Sequence, residues 1–311
     1  MKIKYVTAIL ATICIFSFLN GCRSPKMEIP SYVWIDSVDF RIMNAGQQGT
    51  ASHKITDVWI TTSNGENLGM YQIPARIPIL ESGATRLNIL AGIMIGGVPQ
   101  KRFPYPFYMT YTLTADLKKG KIDTLIPHFM YDTSNTKFYL IEEFESAGIL
   151  FAAYDKSAPL NKTSDNALIF HYPKEINGYS GLIELPYKND SATVYHFEIR
   201  TIDPINLTYL NMNYCLMEIN FCITDDVEIG MIAHSANSSI PNQQIPLANL
   251  SGIDKTKPEN PVWKKVYVNF TQEIRESSAI QMKNFDIYIR GTISTNEKAR
   301  YLFDNIKLVY N

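Results

Sequence analysis

The sequence lacks a strong excess of charge of either sign. Its 29 Lys and Arg residues against 30 Asp and Glu residues give a formal net charge of −1 over 311 residues. Removal of residues 1–21, which contain Lys2 and Lys4 and no acid, leaves −3. The longest basic runs are pairs such as Lys118-Lys119. Because nucleic-acid binding needs a concentrated basic surface, we predict no nucleic-acid partner.

Motifs of catalysis are also missing. The five histidines form neither His-x-x-x-His nor His-Glu-x-x-His, and no Gly-x-Ser-x-Gly turn, phosphate loop or Cys-x-x-Cys pair occurs. A glycosidase needs two carboxylates at a set separation across a cleft. Acidic side chains are available for such a pair, but the sequence does not pair them: Glu142, Glu143, Glu145, Glu175 and Glu184. We therefore predict that the protein is not an enzyme and has no catalytic residue.

Cysteine is scarce, and its positions argue against a disulfide. Cys215 and Cys222 fall in one predicted strand, residues 214–224. At ~3.3 Å per residue they would lie about 23 Å apart, far beyond disulfide reach. Alternation places Cys215 on the apolar face and Cys222 on the opposite face with Glu218 and Asn220. We therefore predict two free thiols. The alternative is that the segment folds into a hairpin, although no turn residues interrupt it before Asp225-Asp226.

The N-terminus has the order of a secretory signal. Lys2 and Lys4 precede an uncharged apolar run over 5–18, which is shorter than the ~20 residues of a membrane span. Leu19-Asn20-Gly21-Cys22 resembles the lipobox of bacterial lipoproteins. That resemblance implies a signal peptide over 1–21, diacylglycerol and palmitate on Cys22, and a membrane anchor followed by a tether over 22–30. An ordinary signal peptide with a chance cysteine is the alternative.

Alternating apolar residues separated by Gly, Pro, Asn and Asp turns predict an all-β protein of two units. The first covers 31–130, with a hairpin at Asn64-Gly65 and regularly spaced turns that favour a β-sandwich. A polar linker is predicted over 131–137. The second unit covers 138–311, and its strands alternate in the manner of packed antiparallel sheets.

Residues 102–108, Arg-Phe-Pro-Tyr-Pro-Phe-Tyr, alternate proline with aromatic residues. Such a segment is extended and projects its rings. It either packs its rings on the sandwich as an edge segment, which we favour, or presents an aromatic surface to a partner.

Several motifs resemble known modules. The Asn-Gly hairpin followed by a Pro-bounded strand resembles small immunoglobulin-like and PEGA-like modules. The opening Glu-Glu-Phe-Glu of the second unit and its closing strands resemble galactose-binding-like jelly rolls of the carbohydrate-binding-module type; these strands begin at Trp263, Phe285 and Leu302. The whole chain resembles outer-membrane lipoproteins of glycan-foraging didderm bacteria. The resemblance implies an N-terminal immunoglobulin-like β-sandwich and a C-terminal jelly-roll β-sandwich.

Two carboxylates are candidate calcium ligands. Asp304 has the same parity as Leu302, Ile306 and Leu308, so we expect it on the apolar side of the last strand. A buried carboxylate there needs a partner, since burying it unpaired costs several kcal/mol. The resemblance implies a structural calcium held by Glu145 and Asp304. A hydrogen-bond network to loop amides is the alternative.

Tyrosines supply the candidate ligand site. Tyr172 and Tyr179 lie in one loop bounded by Pro173 and by Gly178 and Gly181, and flat rings of this kind stack on sugars. They can equally cover strand ends. Trp263 is expected in the core.

These observations predict a non-catalytic, lipid-anchored protein of the outer membrane, on its periplasmic or its surface face, that binds polysaccharide through the jelly roll. The alternatives are a scaffold that binds an envelope protein and, third, a hydrolase.

Overall fold

The computed structural model describes residues 28–172, 178–186, 195–207, 212–252, 262–293 and 298–311. Regular structure in these ranges is almost entirely β, which confirms the all-β fold class. The strands are β1 (Ser31–Ile35), β2 (Asp39–Arg41), β3 (Asp57–Thr62), β4 (Asn67–Gln72), β5 (Ala75–Ile79), β6 (Gly83–Met94), β7 (Arg102–Pro104), β8 (Tyr111–Leu117), β9 (Ile122–Leu125), β10 (His128–Met130), β11 (Lys137–Glu142), β12 (Phe151–Ala153), β13 (Asn161–Thr163), β14 (Ser180–Leu185), β15 (His196–Thr201), β16 (Ile205–Asn206), β17 (Cys215–Ile223), β18 (Val227–Ser235), β19 (Gln243–Leu250), β20 (Lys264–Asn269), β21 (Met282–Thr292) and β22 (Ala299–Tyr310).

In the described part of the chain, two helices accompany the strands, α1 (Ala45–Gln48) and α2 (Thr271–Ala279). The sequence did not predict α2, because Ile274 is its only large buried side chain and a single apolar residue gives no helical period. Within the described ranges, neither helix has the length and apolarity that crossing a bilayer requires.

The N-terminal sheets, β1–β10, form three groups. These are β5-β1-β9, β10-β2 and β4-β3-β6-β7, with β8 also paired to β6. The predicted Asn64-Gly65 hairpin is confirmed, since β3 and β4 pair in antiparallel fashion around it. Alternate residues such as Val33, Ile35 and Ile77 are fully buried and face a shared core.

The C-terminal sandwich, β11–β22, has two six-stranded sheets. The first has the order β13-β14-β22-β17-β20 with β11 also on β22, and the second has the order β12-β15-β21-β18-β19 with β16 also on β21. From β14 onward the chain passes back and forth between the two sheets, which is the connectivity of a jelly roll. Inward residues of both sheets, such as Ile219 and Ile287, form the core.

The outer face of β17 is buried against the N-terminal sheets. Leu216, Tyr267 and Val309 of the sandwich belong to the N-terminal core cluster. Polar side chains cross the same interface: the Ser52 hydroxyl donates to Asn220 Oδ1 at 3.0 Å, and Lys307 Nζ donates to the Thr50 carbonyl at 2.7 Å. The two halves are therefore joined by a packed interface as well as by the connecting chain.

The aromatic-proline segment lies in this interface. Tyr105, Phe107 and Tyr108 are buried, and the Tyr105 and Tyr267 ring centroids lie 5.1 Å apart. The favoured prediction of packed rings agrees with these contacts, and the surface on which the rings pack includes the neighbouring sandwich. Tyr131, at the start of the predicted linker, is also buried. The linker boundaries stay a prediction, although the predicted linker begins with a buried aromatic side chain.

The cysteine prediction is confirmed. Cys215 and Cys222 both lie on β17 and both are free thiols, Cys215 buried in the sandwich core and Cys222 half-buried. Glu218 and Asn220 face the opposite side, as predicted, and are buried there by the N-terminal sheets.

The parity argument for Asp304 was wrong. Phe303 and Ile306 both face the sandwich core, so the alternation skips a position between them. Asn305 has a φ of 48°, and the pairing of β17 with β22 shifts register at this point. This irregularity is a β-bulge, which inserts one extra residue into the strand and moves Asp304 out of the sandwich core.

Candidate functional site

Asp304 is buried, as predicted, and both of its oxygens accept hydrogen bonds. The Ser180 hydroxyl donates to Oδ2 at 2.5 Å, and the Asn305 backbone N–H donates to Oδ1 at 2.7 Å. Burial raises the pKa of Asp304 to about 8, the Glu145 and Glu143 carboxylates act in the same direction, and the two hydrogen bonds oppose the rise.

Glu145 also has its partners within the protein. Its Oε1 accepts the backbone N–H groups of Gly178 at 2.8 Å and Tyr179 at 3.0 Å. Among the described residues, no group of three or more His, Cys, Asp or Glu side chains is placed to hold a metal ion. This geometry fits the hydrogen-bond alternative better than a calcium site, and calcium stays a prediction.

The two candidate tyrosines have different surroundings. Tyr172 is half-buried and its ring lies near that of Phe170, with centroids 6.3 Å apart and planes at 20°. Tyr179 is 43% exposed and its ring lies beside the Lys162 ammonium group, 5.8 Å from the centroid. Cys22, the predicted lipidation site, lies outside the described residues.

Tyr172 lines a cleft of about 730 Å³ between the N-terminal sheets and the sandwich. Phe170 and Trp263 line it as well, and their rings meet edge to face at 5.3 Å. We call Phe170, Tyr172 and Trp263 the aromatic wall. A cleft of a few hundred cubic ångströms with aromatic walls is the usual form of a small-ligand site.

The wall is fixed to the sandwich by the Asp304 network. The Phe170 backbone N–H donates to Ser180 Oγ at 3.0 Å, and the same hydroxyl donates to Asp304. Asp304 therefore holds the chain at Phe170, the first residue of the wall, through one intervening serine. The Asp304 carboxyl group, whose pKa is raised, lies outside the described lining of the cleft and acts on it by positioning the aromatic wall.

Polar groups from both halves complete the cleft, including His53, Lys54, Asn249 and Lys264. Burial and the nearby Lys265 lower the pKa of His53 to about 4, against the opposing effect of Glu218, so the imidazole is neutral at neutral pH. The Ile55 N–H points at His53 Nδ1 at 3.4 Å, which leaves the proton on Nε2. His53 therefore offers a neutral hydrogen-bond donor.

A buried ion cluster adjoins the cleft, and one of its members, Lys265, belongs to the cleft lining. Lys265 Nζ pairs with Glu218 Oε2 at 2.8 Å, while the Tyr105 and Tyr131 hydroxyls donate to Glu218 Oε1 at 2.5 and 2.7 Å. Burial alone would raise the pKa of Glu218, but the ammonium groups of Lys265 and Lys307 lower it to about 2. The cluster fixes β17 and β20 against the N-terminal sheets and thereby fixes one side of the cleft.

The second sandwich sheet carries another polar surface. Arg200 lies over the Tyr154 ring and pairs with Glu198 at 2.5 Å, and Arg290 pairs with Glu228 at 2.8 Å. These charges already have partners, so a ligand would have to displace them. The cleft, which is lined by the aromatic wall and has no ion pair between its described lining lysines Lys54 and Lys264 and a described carboxylate, is the better candidate.

Sequence reasoning identified Tyr172 but missed the rest of the cleft. Trp263 was expected in the core; it is half-buried, and its indole N–H is buried without a hydrogen-bond partner among the described residues. Lys54 comes from the other half of the chain, and no local sequence pattern could have placed it near Trp263. Tyr179 was grouped with Tyr172, and it lies outside the described lining of the cleft.

The comparisons with known proteins find only distant similarity to solved structures. No protein-family model and no curated protein matches the chain. A family 11 carbohydrate-binding module from Clostridium thermocellum, solved with a β-1,3-1,4-mixed-linked tetrasaccharide, is 11% identical with a TM-score of 0.35, over 56% of this chain and 95% of that one. A promiscuous carbohydrate-binding module of the β-sandwich superfamily has a TM-score of 0.36 at 11% identity, over 81% of this chain and 84% of that one.

A cleaved adhesin domain of Lys-gingipain from Porphyromonas gingivalis is 12% identical with a TM-score of 0.37, over 57% of this chain and 98% of that one. At these scores the likenesses bear on neither ligand nor site.

Proposed function

We propose that this protein is a non-catalytic glycan-binding lipoprotein, held in the outer membrane by lipid on Cys22, whose ligand occupies the cleft between its two halves. The observation that carries the proposal is the aromatic wall of the cleft. Tyr172 and Trp263 give it half-buried ring surfaces with the buried Phe170 ring beside them, and His53 and Asn249 add neutral hydrogen-bonding groups. Sugars offer C–H faces to aromatic rings and hydroxyls to such polar groups.

The same cleft favours binding over hydrolysis. Its described lining contains neither Asp nor Glu, whereas glycoside hydrolysis in most families uses two carboxylates across the scissile bond. Asp304 and Glu145 are held in hydrogen bonds to Ser180, Asn305 and loop amides. The role of the protein is therefore to retain a glycan at the envelope.

A screen of soluble and insoluble polysaccharides with the full mature chain tests this proposal. We expect retention on at least one glycan, and quenching or a shift of tryptophan fluorescence as the ligand covers Trp263. The scaffold alternative predicts instead that no glycan binds and that a defined envelope protein co-purifies in stoichiometric amount.

The lipid anchor has its own test. Cys22→Ser removes the thiol that receives the lipid, so we expect the variant to accumulate as an uncut precursor or as a soluble protein. Membrane fractionation and the mass of the N-terminal peptide measure this. A correctly processed Cys22→Ser protein that still sediments with membranes would show that the anchor lies elsewhere.

A further inference from the structure

The charged residues of the cleft are all of one sign. Its described lining contains Lys54, Lys264 and Lys265 and no carboxylate. A chain with a net charge of −1 has no general excess of lysine, so this bias is local to the cleft. Positive groups on the walls of a cleft raise the local concentration of anions and favour their binding.

One of these lysines is already neutralised. Lys265 pairs with Glu218 at 2.8 Å, and its side chain is almost fully buried. His53 adds no charge at neutral pH, because its pKa is lowered to about 4. The second histidine of the lining, His171, has its Nε2 on the Asn166 carbonyl at 2.9 Å, so the lysine charge available to a ligand comes from Lys54 and Lys264.

Both remaining lysines are exposed and make no ion pair with a described residue. Their backbones are nevertheless fixed. The Lys54 N–H donates to the Tyr267 hydroxyl at 2.9 Å, and Lys264 pairs with Phe221 where β20 joins β17. Lys264 directly follows Trp263, so an ammonium group and an aromatic ring come from adjacent positions at the same cleft.

We propose that the cleft selects an anionic glycan, one whose sugars carry a carboxylate or a sulfate ester. This inference rests on the proposed glycan-binding function. The aromatic wall stacks on the sugar ring, while Lys54 from one half and Lys264 from the other pair with the acidic group. A lysine ammonium is a compact charge with three rotatable donors, which suits either a carboxylate or a sulfate.

Matched glycan pairs test the proposal on the full mature chain in detergent. Homogalacturonan oligosaccharides are compared with their methyl esters, and dextran sulfate with dextran, by isothermal titration calorimetry. We expect the charged member of at least one pair to bind about tenfold more tightly and to weaken as salt rises from about 50 mM to about 500 mM. The pair in which the charged member binds more tightly shows whether the cleft selects a carboxylate or a sulfate.

Lysine variants locate the charge. Lys54→Gln and Lys264→Gln should each weaken binding of the charged glycan by about threefold, and the double variant by about tenfold. Lys283→Gln is the matched control, because Lys283 is exposed on β21 and lies outside the described lining of the cleft. Tyr172→Ala should weaken the same binding by about tenfold, which separates a site from general attraction to a polyanion.

The results that overturn the inference differ from those that overturn the proposed function. Three results would overturn the anionic preference while glycan binding as such could stand. The neutral member of each pair could bind as tightly as the charged member or more tightly, or the two lysine variants could bind like Lys283→Gln. The third is that Tyr172→Ala leaves the affinity for the charged glycan unchanged. Failure to bind any glycan of the wider screen would overturn both.

Discussion

At the scale of single residues, Glu218 connects the two halves through a buried cluster of polar groups. It accepts two tyrosine hydroxyls from the N-terminal sheets and pairs with Lys265 in the sandwich. Removing one member of a buried ion cluster leaves an uncompensated charge, which is costlier than losing the attraction itself.

Glu218→Gln should therefore lower the free energy of unfolding by about 3–5 kcal/mol. Glu198→Gln is the control, since its pair with Arg200 is partly exposed and should be worth less than about 1 kcal/mol. Urea unfolding of the two variants measures the difference. Similar small losses for both would show that Glu218 does not hold the interface.

Glu218 also predicts an acid limit to stability. Its pKa is about 2 in the folded protein, below the ordinary value of 4.5, so the unfolded chain takes up this proton more readily. The stabilisation is present above the ordinary value and is lost as pH falls through about 2.

Asp304 predicts the opposite pH dependence. Its pKa is raised to about 8 from the ordinary 3.8, so between these values the folded protein holds a proton that the unfolded chain releases. Its contribution to stability therefore falls as pH rises from about 4 to about 8 and is level above that. Asp304→Asn should remove this slope, measured by urea unfolding at about pH 5 and about pH 9. An unchanged slope would show that Asp304 is ionised in the folded state.

The same residue decides the calcium question. A calcium ion would keep Asp304 ionised and would stabilise the folded state according to its concentration relative to Kd. Because both oxygens of Asp304 already accept hydrogen bonds, we expect a chelator to leave the melting temperature unchanged. A melting temperature that falls with chelator in the parent and not in Asp304→Ala would establish the metal site instead.

At the scale of elements, the alternation of apolar residues predicted strands correctly, but it could not predict local irregularities within them. The sequence predicted strands at β3, β17 and β20, because their alternating apolar residues face a core. It could not predict the bulge at Asn305, since one extra residue leaves no compositional mark. It also could not predict that the polar side chains of Glu218 and Asn220 would be buried, because the residues that bury them come from the N-terminal sheets, far away in the sequence.

The turn after Tyr131 is the element on which a linker was predicted. Asp132 side-chain oxygens accept the Ser134 N–H, the Ser134 hydroxyl and the Asn135 amide, and Thr136 Oγ1 donates to the Phe107 carbonyl. Proteases need an extended, accessible backbone, so we expect no cut between Asp132 and Lys137 under native conditions. Mass spectrometry of limited digests checks this, and early cleavage there would support a loose linker.

At the scale of the whole molecule, the two halves combine to make the candidate site. The aromatic wall and Lys264 belong to the sandwich, while His53 and Lys54 belong to the N-terminal sheets. The sequence predicted glycan binding by the second unit alone and identified one residue of the wall. The contribution of the first half depends on the interface, which no pattern within either half reveals.

The central claim is that ligand binding rests on the aromatic wall, and a titration of two tyrosine variants tests it most directly. Tyr172→Ala removes a ring from the cleft, whereas Tyr179→Ala removes an exposed ring beside Lys162. By analogy with stacking of nucleobases on aromatic rings, one stack is worth about 1–3 kcal/mol, so we predict at least about tenfold weaker glycan binding for Tyr172→Ala. Tyr179→Ala should bind as the parent does, and melting temperatures confirm that both variants are folded. Parent-like binding by Tyr172→Ala, or an equal loss in both variants, would contradict the account.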